Sequence, residues 1–241
     1  VRFFLLMPMK NEMSRWLAKM LTWHSWAFDA IAIYDDQSDD GSAQLARSFG
    51  NVRVRPDDVP SFLEHEGRFR QAAWDWFEES CNPSEGDWVL LADADEFLVA
   101  KGEITTAMYA STIEASQANS VMIEIPEVFQ IGLDGTPMVR TDGFWGGIAQ
   151  PRLVRYLPNG TYRDTKMACG AVPVYATHNP STVDCGLRLL HYGYAVQADR
   201  EAKYARYTAH PVGHNPTHVA SIMQRGVLST WRGRHPAVTR G

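Results

Sequence analysis

Cysteine is scarce in this chain: Cys81, Cys169 and Cys185 are the only three among 241 residues, and no two form a CxxC pair. That argues against a disulfide framework and a cysteine zinc site, and it fits a reducing, cytoplasmic setting. Basic excess is also missing. With a formal net charge of −5, the chain has no bulk attraction for a nucleic-acid backbone or an anionic membrane. Nucleic acid is therefore not an expected partner, and any phosphate-bearing ligand must be held by local groups. Long apolar runs are lacking as well. The opening "VRFFLLMPMKNE" meets Lys10, Asn11 and Glu12 far short of the ~20 apolar residues of a membrane span, so no transmembrane segment is expected. The sequence has no GxGxxG, which disfavours the usual dinucleotide fold, and no GxxxxGK[ST], which excludes a P-loop.

What is present is an alternation of buried strands and amphipathic helices. "RFFLLMPM" reads as a strand covered on both faces, and "NEMSRWLAKMLTWHSWA" as the helix that follows. Ala30 to Tyr34 repeats the strand, "SAQLARSFG" the helix with a stop at Gly50, and "NVRVRPDD" the strand again. "GRFRQAAWDWFEESC" is a helix whose Trp74, Trp76 and Phe77 have core spacing, and "GDWVLLADADEFLV" is a fourth strand. This order predicts an α/β fold, a mainly parallel sheet flanked by helices. Beyond about residue 100 the pattern loosens. A helix in "TTAMYASTIEASQAN", a strand in "SVMIEIPEVFQIG", loops and short antiparallel strands over "DGFWGGIAQPRLVRYLPNGTYRD", a strand in "GLRLLHYGYAV" and a helix in "DREAKYARYTAH" complete the reading. The expected division is one domain over 1–207, with a regular half over 1–100 and a looser half over 101–207. A C-terminal extension over 208–241 packs on it.

Three strands end in acid: Asn11 and Glu12, Asp35 and Asp36, then Asp93, Asp95 and Glu96. Ligands of open parallel sheets bind where strand carboxyl ends converge. Carboxylates gathered there repel one another and are costly to desolvate unless a cation, ligand hydroxyls or basic partners meet them. Mn²⁺ or Mg²⁺, which take oxygen ligands and substrate phosphates, answers that need. On a strand end, Asp93 and Asp95 point the same way, one to the metal and one to a sugar hydroxyl, while Glu96 braces the loop from the other face.

Taken together, "MKNEMSRWLAKMLTWHSW", "IAIYDDQSDDGS", "LLADADEFLV" and "LLHYGYAVQADREAKYARY" resemble the GT-A glycosyltransferases of the family 2 type, in the branch with DxDEF and HYG segments. The resemblance spans most of the chain to about residue 207. It implies transfer of a sugar from a nucleotide-diphosphate sugar to a glycan, lipid or protein acceptor, with Mn²⁺ or Mg²⁺. By the same resemblance Asn11, Glu12, Asp35 and Asp36 hold base and ribose, Asp93 faces the ribose or metal, Asp95 ligates the metal, and His191 is a further ligand. Arg68 or Arg70 pairs with a donor phosphate or an acidic turn.

The inverting reaction implied by the resemblance needs a carboxylate to deprotonate the acceptor hydroxyl. Glu124, Glu127, Asp134, Asp142 and Asp164 are the candidates, with Asp142 preferred because "TDGFWGG" joins an acid to an aromatic loop. Trp145 is the expected acceptor-stacking ring. His210, His214 and His218 sit four apart, but Pro211, Gly213 and Pro216 break the helix a zinc triad would use. Two rival readings remain: a haloacid-dehalogenase-like phosphatase using the DxD, and a GT-A-like protein that only binds nucleotide or glycan.

Overall fold

The computed structural model describes residues 1–56, 61–100, 102–182, 184, 186–209 and 215–237. His210 and His214 lie outside the described residues. β1 (Phe3–Met9) is the pivot of a nine-stranded sheet. It pairs in parallel with β2 (Ala30–Asp35) on one side and β4 (Trp88–Leu91) on the other, and β2 pairs in parallel with β3 (Val52–Pro56). Alternation along β1 explains its all-apolar sequence. Phe3, Leu5, Met7 and Met9 face α1 (Leu17–His24), α2 (Ser42–Arg47) and α4 (Ile104–Glu114), whereas Phe4 and Leu6 face α3 (Glu66–Cys81). A strand covered on both faces needs no polar residue.

The second half of the sheet is mixed. β9 (Ile148–Arg155) runs antiparallel between β4 and β6 (Ser120–Ile125), so the Gly- and Pro-rich stretch expected to hold short strands supplies an eight-residue central one. β11 (Leu187–His191) then joins β6 in parallel and β5 (Glu96–Ala100) antiparallel, while β10 (Pro180–Ser181) pairs with β6. A separate three-stranded sheet contains β7 (Val128–Ile131), β8 (Pro137–Arg140) and β12 (Leu228–Thr230), the last drawn from the C-terminal segment. α5 (Gln197–Ala209) and α6 (Pro216–Ser221) lie between them in sequence. Among the described residues, no helix is long and apolar enough to cross a membrane.

The structure corrects three sequence expectations. The helix after β1 starts at Leu17, because residues 13–16 form turns and Asn11 has a left-handed φ of 53°. α2 is capped at Ser48, two residues before Gly50. Most consequentially, "WVLLADADEFLV" is two strands, with β4 near the centre of the sheet and β5 at its edge, and Ala92–Asp95 as the link.

Because β5 is an edge strand, Leu98 has backbone groups facing no neighbouring strand. Two consecutive side chains of α1 meet them: Trp23 Nε1 donates to the Leu98 carbonyl at 2.7 Å, and His24 Nε2 accepts from the Leu98 N–H at 3.0 Å. Nδ1 of His24 faces Met20 Sδ at 3.0 Å. Burial pushes the His24 imidazole down to about 3, so it folds neutral. An unfolded histidine begins to take up a proton near pH 6.5 while the folded one resists, so the native state loses stability as pH falls from about 6.5 toward 3. This single residue should contribute a slope of at most about 1.4 kcal/mol per pH unit in urea unfolding. His24→Gln, which keeps an acceptor for Leu98, should flatten that slope; an unchanged slope would remove His24 as its source.

Candidate functional site

Parallel pairing of β1, β2 and β4 brings their carboxyl ends to one edge of the sheet. The turns after β1 and β2 are bonded to each other: Asp36 N donates to Met9 O, Asn11 N to Ser38 Oγ, Asp39 N to Asn11 Oδ1, and Met13 N to Asp40 Oδ2. Asp35 accepts from Ser38 within its own turn. Much of the acidity of "YDDQSDDGS" therefore shapes the turn, as Asx chemistry does. Asp36 is buried beside Lys10, whose Nζ lies 3.5 Å from Oδ2. Glu12 is buried next to Arg15, and its Oε2 has no hydrogen-bond partner among the described residues. Burial, only partly offset by Arg15, pushes the Glu12 carboxyl up to about 7.

The link between β4 and β5 sends its two aspartates to different surroundings. Asp95 Oδ1 is 3.4 Å from His191 Nε2, and its Oδ2 lies 3.6 Å from Arg15 and 3.8 Å from Lys203 Nζ. Burial alone would raise its pKa, yet His191, Lys203 and Arg15 outweigh that and hold the carboxyl well below its ordinary range. His191 ends β11, and its Nδ1 touches Glu127 Oε2 at 2.6 Å. Burial would lower the imidazole pKa, but Glu127 and Asp95 prevail against Lys203 and raise it well above the usual value. Asp93 lines a pocket with Arg70 and Arg152 and also the cleft that His191 lines.

Glu96 braces the link, as its alternation predicted. Arg152 on β9 forms a buried fork with it, 2.9 and 3.1 Å long, and also donates to Leu91 O; Glu96 Oε2 accepts from Asp93 N. This pair positions the DxD link from below.

A cleft opens beside these groups, lined by Asp93, Glu127, Phe144, Gln150, Arg152 and His191 among others. Of the five carboxylates weighed as bases, Glu127 alone lines it. Asp142, the preferred one, is held elsewhere. It forms a bidentate pair with Arg140 at 2.8 and 2.9 Å and accepts from Val227 N, while Arg140 binds the Ser221 and Gln224 carbonyls. The Arg140 hydrogen bond and the Val227 N–H hold its carboxyl far below the usual range, the opposite of what a base at neutral pH requires. Glu124 pairs with Arg188 at 2.7 Å, Asp134 accepts from Thr136 N, and Asp164 pairs with His65 and Arg68.

The Trp145 ring, expected to stack on an acceptor, is enclosed. It is 2% exposed, packed edge-on against Phe129 and Tyr194 and near His218, with Nε1 donating to Ser221 Oγ. Its neighbour Phe144 is 49% exposed and lines the cleft. Of the two arginines on α3, Arg68 is on the surface with Asp164, while Arg70 is half-buried against Glu66 and shares the Asp93 pocket. Arg15, Arg152 and Lys203 were not singled out for the site by sequence reasoning. The signal for Arg152 was a charge inside the apolar run "PRLV".

Asp95 and His191 could hold a divalent cation once the imidazole gives up its Nε2 proton. Two ligands of one ion at about 2.1 Å each lie no more than about 4.2 Å apart, and Asp95 Oδ1 and His191 Nε2 satisfy this at 3.4 Å. Glu127 Oε2 stands against the other ring nitrogen of His191. Among the described residues, no three His, Cys, Asp or Glu side chains group to hold an ion by themselves. Arg152→Met alone should destabilise the chain by about 3–5 kcal/mol, because it leaves Glu96 buried and unpaired. Adding Glu96→Met should recover most of that loss in urea unfolding; equal losses in both variants would show the pair is not what holds the link.

No protein-family model matches this chain, and no curated protein does. Solved structures that match include a 4-diphosphocytidyl-2C-methyl-D-erythritol synthase, 16% identical, covering 64% of this chain and 75% of that one, with a TM-score of 0.43. Another is a mannosyl-3-phosphoglycerate synthase from Rubrobacter xylanophilus, 18% identical, covering 53% of this chain and 41% of that one, with a TM-score of 0.34. At these scores the likenesses carry no argument, and the α/β assignment rests on this chain's own strand order.

Proposed function

We propose that the chain is a GT-A glycosyltransferase that takes a nucleotide-diphosphate sugar and a divalent cation, Mn²⁺ or Mg²⁺, and passes the sugar to an acceptor hydroxyl with inversion. The observation that carries this reading is the meeting of Asp95 with His191 at the edge where β1, β2 and β4 end. In it, Asp95 and His191 hold the cation, whose part is to neutralise charge on the leaving diphosphate as a Lewis acid.

Asn11 and Asp35 shape the nucleotide pocket through the paired turns, and Asp36 and Glu12 face base and ribose. Arg70 sets Asp93 against the donor, which leaves Asp93 to accept a hydrogen bond from ribose or sugar. Glu127 is the base: it lines the acceptor cleft next to His191 and takes the proton of the attacking hydroxyl. Phe144, on the lip of that cleft, stacks on the acceptor, and the 1–207 and 208–241 division follows the same scheme, with the tail latched by Arg140 and Asp142.

Thermal-shift titration with UDP, GDP, CDP and ADP should show stabilisation that requires Mn²⁺ and disappears in Asp95→Ala. The same metal-dependent shift in that variant would sink the assignment. Glu127→Gln should lower turnover by about 10²–10⁴-fold with donor affinity kept, the range for a lost general base; full turnover would return the search to another acid.

A further inference from the structure

α5 is bound to the domain through a polar face. None of its residues is fully buried, and its inward positions recur at helical spacing. Asp199 lies 3.2 Å from Arg15, Arg200 donates to the Phe129 and Tyr194 carbonyls, and Lys203 reaches the site. The Lys203 ammonium is 3.2 Å from His191 Nε2, 3.8 Å from Asp95 Oδ2 and 4.3 Å from the centre of the Tyr194 ring.

Gly193 shows what these contacts share. A Cβ there would stand 2.1 Å from Lys203 Nζ, 2.4 Å from His191 Nε2 and 2.7 Å from Asp95 Oδ2. The three atoms thus close around one point, which the missing side chain keeps open. An ammonium and a divalent cation cannot both stay beside that point without strong repulsion, unless an anion comes between them.

We propose that Lys203 is the exchangeable counter-cation of this site: beside Arg15 and His191 its ammonium helps neutralise Asp95 while the site is empty, yields to the divalent cation, and then binds the diphosphate of the donor. The inference rests on the reading that Asp95 and His191 hold the cation. The exchange is inexpensive for the fold, since α5 has no fully buried residue to uncover, and a lysine's flexible stem can redirect its charge. It makes cation and nucleotide binding mutually reinforcing. The cation alone must displace Lys203, whereas cation plus diphosphate gives the ammonium a new partner, and such coupling acts equally in both directions.

The test measures Mn²⁺ binding to the full chain by the electron paramagnetic resonance of free Mn²⁺, without nucleotide. In parallel, calorimetry at saturating Mn²⁺ uses whichever of UDP, GDP, CDP or ADP binds wild type. Lys203→Met should bind Mn²⁺ alone about tenfold more tightly than wild type and the nucleotide about tenfold more weakly, within the usual span of such couplings. Lys203→Arg, which keeps the charge, should not gain Mn²⁺ affinity. Far-ultraviolet circular dichroism and unfolding midpoints check that the variants are folded; if Lys203→Met is not, Lys203→Gln takes its place with the same expectation. Mn²⁺ affinity that is unchanged or weaker in Lys203→Met, while Asp95→Ala abolishes it, overturns the role of Lys203 and leaves the cation site standing. Absence of Mn²⁺ binding in wild type and every variant, with and without nucleotide, overturns the cation site and the inference with it.

Discussion

Asp95 is an almost fully buried carboxylate, and the chain keeps it charged by meeting it with cations from three distant segments. Arg15 comes from the turns after β1, His191 from the end of β11, and Lys203 from α5. A buried charge left alone would cost several kcal/mol, so these segments are tied to one point. The same contact joins the parallel half of the sheet to the mixed half and fastens α5 over both. Arg15 extends the tie to Glu12 and Asp199.

Two further buried pairs fix what lies around that point. Glu96 and Arg152 hold the link between β4 and β5 against the central antiparallel strand, which sets where Asp93 and Asp95 begin. Arg140 and Asp142 hold the C-terminal segment against β8, with Trp145 packed beside them. The first pair lines the cleft, together with Glu127 and the half-exposed ring of Phe144.

The first hundred residues were legible because β1 and β4 are apolar throughout, β2 nearly so, β3 alternates, and the helices between them carry a buried face. β1 needs no long-range knowledge to be read, since Phe3 to Met9 can only be a strand covered on both sides. Glu96 as a brace also followed from side-chain alternation. The partition of "WVLLADADEFLV" into two strands did not, because the apolar runs on either side of the aspartates look alike, and only the pairing of β5 with β11 separates them. Trp23 and His24 read as ordinary helix residues, yet their polar atoms serve the open edge of β5. Asp142 and Trp145 were misjudged for one reason: a Gly-rich stretch reads as exposed, and nothing local announces the tail that covers it with Ser221, Gln224 and Val227. Lys203 was noticed only as part of a segment, since its meaning depends on Gly193 and Asp95, far apart in sequence.

The central claim is that Asp95 and His191 hold a cation for a nucleotide diphosphate. Anomalous diffraction from crystals grown with Mn²⁺ and the nucleotide that binds tests it most directly. The account predicts one Mn²⁺ peak in contact with Asp95 and His191, the diphosphate completing its coordination and the nucleotide lying along the ends of β1 and β2. A bound nucleotide with no Mn²⁺ at that pair, or Mn²⁺ held elsewhere, would contradict it.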